Sequence, residues 1–333
     1  MSKNKNKPGE FNWIGQVREM FSSLLPAGME GIGDDCAVIP IGNGESLVVT
    51  TDMLVEGVHF LPDKISPEEL GYKSLAVNLS DVAAMGATPT GSFLSVGFPG
   101  HVGEDWQNGF LRGYKKLSEE FDVPLLGGDT TASEKWIISV TAIGKIANTD
   151  IKRRSGAKSG DLVCVTGNLG NSAAGLRLLL NKNKFSDEET ALTKDHLHPK
   201  PYVLEGEWLG AREDVHAMMD VSDGIASDLV HILEASGVSA EVELTHLPFS
   251  DAFKKTCRKY DWNAEELAVS GGEDYVLLLT VDPDHFQGLN EEYKNRFGRN
   301  LTAIGRVEEG LPRISWLKNG KIREANWKGF EHF

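Results

Sequence analysis

Short acidic strings recur along this chain, and most of them lie beside a glycine or at the end of an apolar run. They are GIGDDCAV (31–38), TTD (50–52), NLSD (78–81), GGDTT (127–131), DVSDG (220–224) and GGED (271–274). A single aspartate in such a place is commonly a helix cap or a turn residue, because its side chain accepts backbone hydrogen bonds. The repetition of this pattern along the chain favours a role in metal binding over caps and turns. Since magnesium prefers oxygen ligands and keeps several waters, the strings predict a multi-metal site that binds phosphates.

The candidate metal ligands are the aspartates of these strings, provided that the fold brings them together. They are Asp35, Asp52, Asp81, Asp129, Asp220 and Asp223. Asp34 and Asp35 are adjacent, and two like charges so close disfavour each other unless they are solvated or share a cation. A solvated turn is the alternative for this pair. The glycine pairs at 127–128 and 271–272 would let backbone amides approach phosphate oxygens, or they form two tight turns.

Length and composition limit the classes of protein to consider. The 333 residues exceed the roughly 250–300 at which a single core usually stops growing, which predicts two domains. The 34 basic and 49 acidic residues leave a formal charge of -15, which argues against a general nucleic-acid or anionic-membrane surface. An anionic ligand would therefore need another attraction, such as a metal bound to carboxylates.

The cysteines and the N-terminal sequence indicate a cytoplasmic protein. Cys36, Cys164 and Cys257 are far apart and form no C-x-x-C pair, so neither a disulfide framework nor a zinc site is predicted. The N-terminal MSKNKNKPGE has no apolar core of a secretion signal, and no apolar run approaches the roughly 18 residues of a membrane span. We expect a soluble protein in a reducing compartment.

Strands and helices alternate in both halves of the chain, which predicts two layered α/β domains. Residues 11–21 and 66–86 show helical spacing or caps, and the second of these segments opens with Ser-x-x-Glu. Strands are predicted at 37–39, 46–53, 90–99, 135–146, 161–167 and 274–281. Further helices are predicted at 106–121, at 170–181 and at 225–233, the last preceded by the segment 217–224. A polar, basic segment at 147–160 places the domain boundary near residue 150, giving domains 1–150 and 151–333.

The familiar nucleotide-binding fingerprints are missing from the sequence. It contains neither G-x-x-x-x-G-K-[ST] nor a G-x-G-x-x-G that opens a helix after the first strand. The nearest glycine pattern, GNLGNSAAG (167–175), lacks the required spacing and is typical of a tight strand-to-helix connection. A Walker-type kinase and a Rossmann dehydrogenase are both disfavoured.

Taken in order, the strings resemble those of thiamine-monophosphate kinases over nearly the whole chain. The segments are GIGDDCAV, TTDMLVEGVHF, KSLAVNLSDVAAMGATP, LLGGDTT, RSGAKSGDLVCVTGNLGNSAAGL, DVSDGIASDL, SGGEDY and NWKGFEHF. The resemblance implies transfer of the ATP γ-phosphoryl group to thiamine monophosphate, with magnesium. It also implies a fold like that of aminoimidazole ribonucleotide synthetase, in which an N-terminal α/β domain pairs its sheet across a homodimer and nucleotide and metals lie between the domains.

The resemblance further implies a role for each matched position. Metal roles fall to Asp35, Thr50, Thr51, Asp52, Asp81, Asp129, Asp220 and Asp223. ATP contacts fall to Gly128, Asp129, Arg154 and Ser222, and thiamine contacts to His59, Glu273 and Trp327. Asp34 then shapes the turn beside Asp35. No covalent nucleophile or general base is expected, because a phosphate monoester with a second pKa near 6 is already largely dianionic at pH 7.

Enzymes that share this architecture are the nearest alternatives. They are aminoimidazole ribonucleotide synthetase, selenophosphate synthetase and the hydrogenase-maturation dehydratase. The chain ends in EHF without the terminal cysteine of the dehydratase, and no cysteine precedes GIGDDCAV as the nucleophile of a selenophosphate synthetase should. A sensor that kept the ATP site without turnover is the alternative from another class; loss of the substrate residues would favour it, but His59, Glu273 and Trp327 are present.

Overall fold

The computed structural model describes residues 9–100 and 102–330. The terminal EHF string and the first eight residues of the N-terminal sequence lie outside the described residues. The first half comprises α1 (Glu10–Phe21), β1 (Ala37–Gly42), β2 (Glu45–Val55), α2 (Pro67–Ala84), β3 (Thr88–Phe98), α3 (Glu104–Glu120), β4 (Leu125–Ala132) and β5 (Ile137–Ala147). The three predicted helices and the predicted strands of this half are confirmed, with bounds shifted by a few residues.

The first sheet has one covered face and one open face. Its strand order is β1-β2-β5-β3-β4, and only the β3–β4 pair is parallel. Because side chains alternate along a strand, Val48 and Val140 point to the face under the helices and are buried, whereas Met53 and Phe93 lie exposed on the other face. Every residue of the edge strand β4 is exposed.

The LLGGDTTA segment forms β4, which the sequence had not predicted as a strand. Gly127 and Gly128 therefore lie inside a strand, and the tight-turn alternative for this pair is wrong. A β-carbon at Gly128 would lie 1.7 Å from the carbonyl oxygen of Leu94, so the close approach of β4 to β3 requires glycine here.

Helix α2 begins with the predicted cap and is buried along nearly its whole length. The Ser66 hydroxyl accepts from the Glu69 amide and the Glu69 carboxylate accepts from the Ser66 amide, which completes a capping box. The helix packs closely on α3 because Gly71 and Gly113 have no side chains. A β-carbon would lie 1.9 Å from the Phe110 carbonyl oxygen at the first position, and 1.7 Å from the Glu68 carbonyl oxygen at the second.

The second half of the chain forms a seven-stranded sheet within the described residues, in the order β12-β11-β8-β10-β6-β9-β7. Its elements are β6 (Leu162–Val165), α4 (Asn171–Asn181), α5 (Asp187–Leu197), α6 (Val203–Gly210), β7 (Val215–Asp220), α7 (Ile225–Ser236), β8 (Ser239–Glu243), α8 (Asp251–Tyr260), α9 (Ala264–Ser270), β9 (Leu277–Val281), α10 (Phe286–Phe297), β10 (Thr302–Glu308), β11 (Ile314–Lys318) and β12 (Lys321–Ile322). Strands β6, β9 and β7, at one side of this sheet, are almost entirely buried. Together the two sheets and their helices confirm the predicted α/β fold class, while the exact boundary near residue 150 stays a prediction.

One strand begins later than predicted. The expected strand at 274–281 starts at Leu277, because Glu273 and Tyr275 have φ values of 63° and 51°, which a strand does not accommodate. The residues before Leu277 form an irregular loop that lies against the DVSDG string.

Helix α1 lies on the surface of the protein. None of its residues is buried, and the ring of Phe11 lies 5.0 Å from that of His231 on α7. No helix within the described ranges is both long and apolar enough to cross a membrane.

The glycine contact between α2 and α3 can be tested by substitution. We expect Gly113→Ala to lower the free energy of unfolding by about 1–3 kcal/mol, since the added methyl group overpacks a backbone contact. Gly15→Ala in α1 is the matched control, because a β-carbon there would meet nothing within 4 Å. Urea denaturation of both variants measures the difference, and equal unfolding midpoints for the two would contradict this packing.

Candidate active site

Three aspartates from distant parts of the chain converge into an acidic cluster. Asp35, Asp81 and Asp220 each offer one carboxylate oxygen, and these oxygens lie within 4.8 Å of one another. Asp35 precedes β1, Asp81 lies near the end of α2, and Asp220 ends β7. The cluster therefore joins both halves of the chain, a convergence that sequence spacing does not reveal.

Hydroxyl groups of β2 and α2 hold two of these carboxylates in place, and a side-chain amide of α2 holds the neighbouring backbone of β2. The Thr50 hydroxyl donates to Asp81 at 2.6 Å, and the Ser80 hydroxyl donates to Asp220 at 2.5 Å. The amide of Asp52 donates to the side-chain oxygen of Asn78 at 3.1 Å. Asn78 and Ser80 were missed by the sequence analysis, although both lie in the NLSD string; only its acid had been singled out.

Burial and mutual repulsion raise the pKa values of the clustered carboxyl groups. Burial raises the pKa of Asp52 to about 6. Burial, followed by the neighbouring charge of Asp35, raises the pKa of Asp220 to about 7. The pKa of Asp81 is raised well above its ordinary value by burial and by the charges of Asp52, Asp220 and Asp35. When these closely packed carboxyl groups are ionised, a shared cation stabilises them.

The adjacent aspartates of GIGDDCAV have separate tasks. Asp34 accepts the backbone amide of Arg154 at 2.9 Å and so fixes the turn at Arg154–Gly156. Asp35 accepts from the guanidinium of Arg154 through one oxygen. The other oxygen of Asp35 is buried and has no hydrogen-bond partner among the described residues. Because an unpaired buried carboxylate oxygen is costly, this atom fits a ligand position for a divalent cation.

The DVSDG and GGED loops pack directly against each other beside the cluster. The Glu273 amide donates to the Ser222 carbonyl at 2.7 Å, and a β-carbon at Gly272 would lie 2.4 Å from that same oxygen. The Asp223 amide donates to the buried carboxylate of Asp228 at 3.2 Å. Ser222 and Asp223 therefore lie on a loop whose conformation is held from both sides.

Three of the predicted metal and ATP residues, Thr51, Gly128 and Asp129, do not belong to the acidic cluster formed within one chain. Thr51 points to the open face of the first sheet, where its hydroxyl donates to the Val140 carbonyl at 3.1 Å. Gly128 and Asp129 lie on the exposed edge strand β4, and the Asp129 carboxylate accepts the Thr130 amide at 2.8 Å.

Glu273 belongs to a charged network that was not expected from the sequence. Both of its carboxylate oxygens lie 3.1 Å from the ammonium of Lys73, and one lies 3.1 Å from Nδ1 of His196. Burial by itself would raise the pKa of Glu273, but Lys73 and His196 outweigh it and lower the pKa to about 2. The side chain is therefore a carboxylate at any physiological pH.

The remaining predicted substrate residues lie in two separate segments. Nδ1 of His59 accepts the Val55 amide at 3.0 Å in the turn after β2. The Trp327 ring lies 5.3 Å from that of Trp316 in an edge-on arrangement. Three residues later the Phe330 amide donates to the Asp223 carbonyl at 3.1 Å, so the C-terminal segment returns to the DVSDG loop.

Comparison with known proteins agrees with this architecture and extends over the full chain. Residues 33–146 match the family model of the AIR synthase related protein N-terminal domain, and residues 158–315 match that of the C-terminal domain. The thiamine-monophosphate kinase of Salmonella typhimurium is 41% identical over 327 residues, which cover 98% of each chain. The chain belongs to the thiamine-monophosphate kinase family. The Aquifex aeolicus thiamine-monophosphate kinase is 36% identical over 323 residues, covering 97% of this chain and 98% of its own.

Solved structures of thiamine-monophosphate kinases share the same fold. AaThiL complexed with AMPPCP and TMP superposes with a TM-score of 0.85 at 35% identity, covering 99% of this chain and 100% of that one. The enzyme from Stenotrophomonas maltophilia K279a gives a TM-score of 0.76 at 36% identity, covering 94% of this chain and 98% of its own. The family resemblance and the aminoimidazole ribonucleotide synthetase-like fold are thereby confirmed.

The raised pKa values of the cluster predict a stability that depends on pH and on cations. A carboxyl group whose folded pKa exceeds its unfolded value stabilises the fold at low pH, and this contribution is lost as the pH rises from the unfolded to the folded pKa. For Asp220 that window runs from about 4 to about 7. Without divalent cations, we expect the free energy of unfolding of wild type to fall relative to that of Asp220→Asn across this window. The fall is about 1.4 kcal/mol for each tenfold difference between the acid dissociation constants of Asp220 in the unfolded and folded states.

Thermal unfolding in chelator and in magnesium checks this prediction. Magnesium should restore the stability of wild type at pH 8 but not that of Asp220→Asn, and Asp251→Asn, whose side chain is 92% exposed, should behave as wild type. A magnesium effect of the same size at pH 5 and pH 8 would count against the cluster as a cation site.

Proposed function

We propose that this protein transfers the γ-phosphoryl group of ATP to thiamine monophosphate, giving thiamine diphosphate and ADP, by a magnesium-dependent, direct in-line reaction. The observation that carries the proposal is the acidic cluster of Asp35, Asp81 and Asp220, in which one oxygen of Asp35 has no hydrogen-bond partner in the part of the chain that the structure describes. Its support is the 41% identity to a thiamine-monophosphate kinase over 98% of the chain and the likeness to AaThiL complexed with AMPPCP, an ATP analogue, and TMP.

Repulsion between the two substrates is the main obstacle to this reaction. ATP and a phosphate monoester are both polyanions at pH 7, and the protein itself carries a formal charge of -15. Divalent cations, when bound, supply the charge neutralisation that such a transfer needs. What the chain supplies is alignment of the attacking and leaving oxygens, since the acceptor oxygen is already ionised and requires no general base.

The proposed nucleotide and metal residues divide between the cluster and the strands that flank it. Asp35, Asp52, Asp81 and Asp220 would hold cations together with Thr50, whose hydroxyl donates to Asp81. Thr51, Asp129 and Asp223 are proposed as further metal positions, and Gly128, Asp129, Arg154 and Ser222 as ATP contacts. Arg154 is suited to contact a phosphate because its guanidinium already lies against Asp35. A cation held by Asp35 and a phosphate contacted by Arg154 would then lie side by side, where their opposite charges attract.

The proposed acceptor residues match the two rings of thiamine. Thiamine carries a cationic thiazolium and a flat aminopyrimidine. The indole of Trp327 can stack on such a ring, with a gain of about 0.5–2 kcal/mol from cation–π attraction. Glu273, held as a carboxylate, can accept from the exocyclic amine, and His59 completes the set.

The open face of the first sheet supports a homodimer. Met53 and Phe93 are exposed on that face, and Leu125 and Leu126 are exposed on the edge strand β4. A second copy of the chain pairing here would cover these apolar side chains and the unpaired edge. Because Asp129 lies on β4, such pairing would also enclose a predicted metal position. We place the enzyme in the cytoplasm, with no nucleic acid or membrane as partner.

Formation of thiamine diphosphate tests the proposed reaction directly. Purified protein with ATP, magnesium and thiamine monophosphate should give thiamine diphosphate and ADP, resolved by chromatography. We expect Asp52→Asn and Asp129→Asn each to lower turnover by about 100-fold or more, since each loses a charge worth several kcal/mol at a metal position while keeping the side-chain volume.

Asp105→Asn is the control for this experiment, because Asp105 is an exposed residue in the first turn of α3. It should retain full turnover. Undiminished turnover in excess chelator, or full activity of both Asp52→Asn and Asp129→Asn, would refute the metal-dependent mechanism.

Direct transfer predicts that the protein is never phosphorylated. Incubation with γ-labelled ATP and magnesium but without acceptor should leave the protein unlabelled after acid quenching, because no side chain acts as the nucleophile. A stoichiometric phosphoryl adduct that passes into thiamine diphosphate when acceptor is added would replace direct transfer with a two-step reaction.

A further inference from the structure

A lysine is completely buried within helix α2, where its neighbours in sequence are buried too. Lys73 has an exposed fraction of 0%, and no residue from Leu70 to Ser80 is exposed. Burying an ammonium is costly unless a counter-charge accompanies it. The counter-charge is Glu273, which belongs to the other sheet's half of the chain and whose side chain remains 25% exposed.

The groups around this ion pair form a network, but they do not form a hydrolytic triad. Ser172 and Glu273 both contact the same nitrogen, Nδ1 of His196, at 3.0 and 3.1 Å. A Ser–His–acid relay needs one contact on each ring nitrogen, so this arrangement cannot pass a proton from serine to acid. Burial and the charge of Lys73 lower the pKa of His196, so Lys73 remains the principal cation facing Glu273.

The backbone that carries Glu273 is strained, and the ion pair anchors it. Glu273 has a φ of 63°, an uncommon value for a residue with a side chain, and its amide donates to the Ser222 carbonyl at 2.7 Å. Glu273 is thus fixed at its backbone by the DVSDG loop and at its carboxylate by Lys73. Its direction is determined by Lys73 rather than by free rotation.

Lys73 also relates Glu273 to the acidic cluster through one rigid helix. Ser80 lies seven positions after Lys73, about two helical turns along the same face, and its hydroxyl donates to Asp220 at 2.5 Å. From this one face, α2 therefore makes one polar contact with Glu273 and another with the acidic cluster.

We propose that Lys73 is a positioning residue for the acceptor: it holds Glu273 ionised, at a fixed distance from the acidic cluster, to receive the aminopyrimidine of thiamine monophosphate. This inference rests on the proposed function. Lys73 does not touch the substrate, because it is fully buried behind the carboxylate. A role in stability alone would be served as well or better by two apolar residues, since buried ion pairs are often replaceable without loss.

Affinity measurements on three variants test the inference. They are Lys73→Met, Glu273→Gln and the double variant Lys73→Met/Glu273→Gln, titrated with thiamine monophosphate in the presence of AMPPCP and magnesium by calorimetry. We expect Lys73→Met to raise the Kd for thiamine monophosphate about tenfold or more, as for a lost charge-assisted hydrogen bond, with the Kd for AMPPCP changed less than about threefold.

The double variant separates positioning from stability. It removes both charges of the pair, so its melting temperature should recover relative to Lys73→Met, while its affinity for thiamine monophosphate should stay as weak as that of Glu273→Gln. The double variant also allows the affinity for thiamine monophosphate to be measured without Lys73 if Lys73→Met alone does not fold. Lys182→Met is the matched control, because Lys182, the residue after α4, pairs with the buried Glu189 of α5 at 2.9 Å and should not affect acceptor affinity.

The outcomes distinguish this inference from the proposed function. Recovery of acceptor affinity in the double variant would show that the pair is structural only and overturn the inference. Wild-type acceptor affinity in Lys73→Met, with weak affinity in Glu273→Gln, would overturn it while leaving the acceptor site intact. Wild-type affinity in Glu273→Gln would remove Glu273 from the acceptor site, and absence of thiamine diphosphate formation by wild type would refute the proposed function itself.

Discussion

Electrostatic repulsion within the acidic cluster is the constraint on which the rest of this structure depends. Asp35, Asp81 and Asp220 are held within 4.8 Å of one another in a buried setting, where like charges interact strongly. Left to themselves, these carboxylates would separate. The fold keeps them together by bonding each acid to a neighbour: Thr50 to Asp81, Ser80 to Asp220 and Arg154 to Asp35. The energy needed to gather them comes from the packing of two sheets and their helices.

Helix α2 is the element that transmits this packing to the site. It lies between the first sheet and the second half of the chain, contacting β2, β5, α3, α6 and β7. Its Asn78, Ser80 and Asp81 all make contacts in or beside the cluster. A rigid helix that packs against several elements can hold side chains from both halves of the chain at fixed relative positions, which flexible loops alone would not achieve.

The sequence predicted which residues form the acidic cluster better than it predicted their arrangement. Acidic strings at the ends of apolar runs identified Asp35, Asp81 and Asp220, because strand ends and helix ends are where a fold can present polar groups. Their convergence depends on tertiary packing that no local pattern encodes. Strand β4 was missed because its two glycines and the polar GDTT residues lower its strand propensity, and pairing with β3 overrides that propensity. Lys73 was missed for a similar reason: a lysine in a helix is ordinarily solvated, and only the position of Glu273, two hundred residues later, explains its burial.

The near-complete burial of α2 has a consequence for how this protein can change over time. Of its eighteen residues, fourteen are buried, so the helix lacks the solvent-facing side on which most helices tolerate substitution. Nearly every replacement there would disturb either the core or a polar contact of the site. Neutral drift is therefore confined to other elements, such as α1, which buries none of its residues. The segment from Leu70 to Ala84 should remain the slowest-diverging part of the chain, constrained at once by folding and by chemistry.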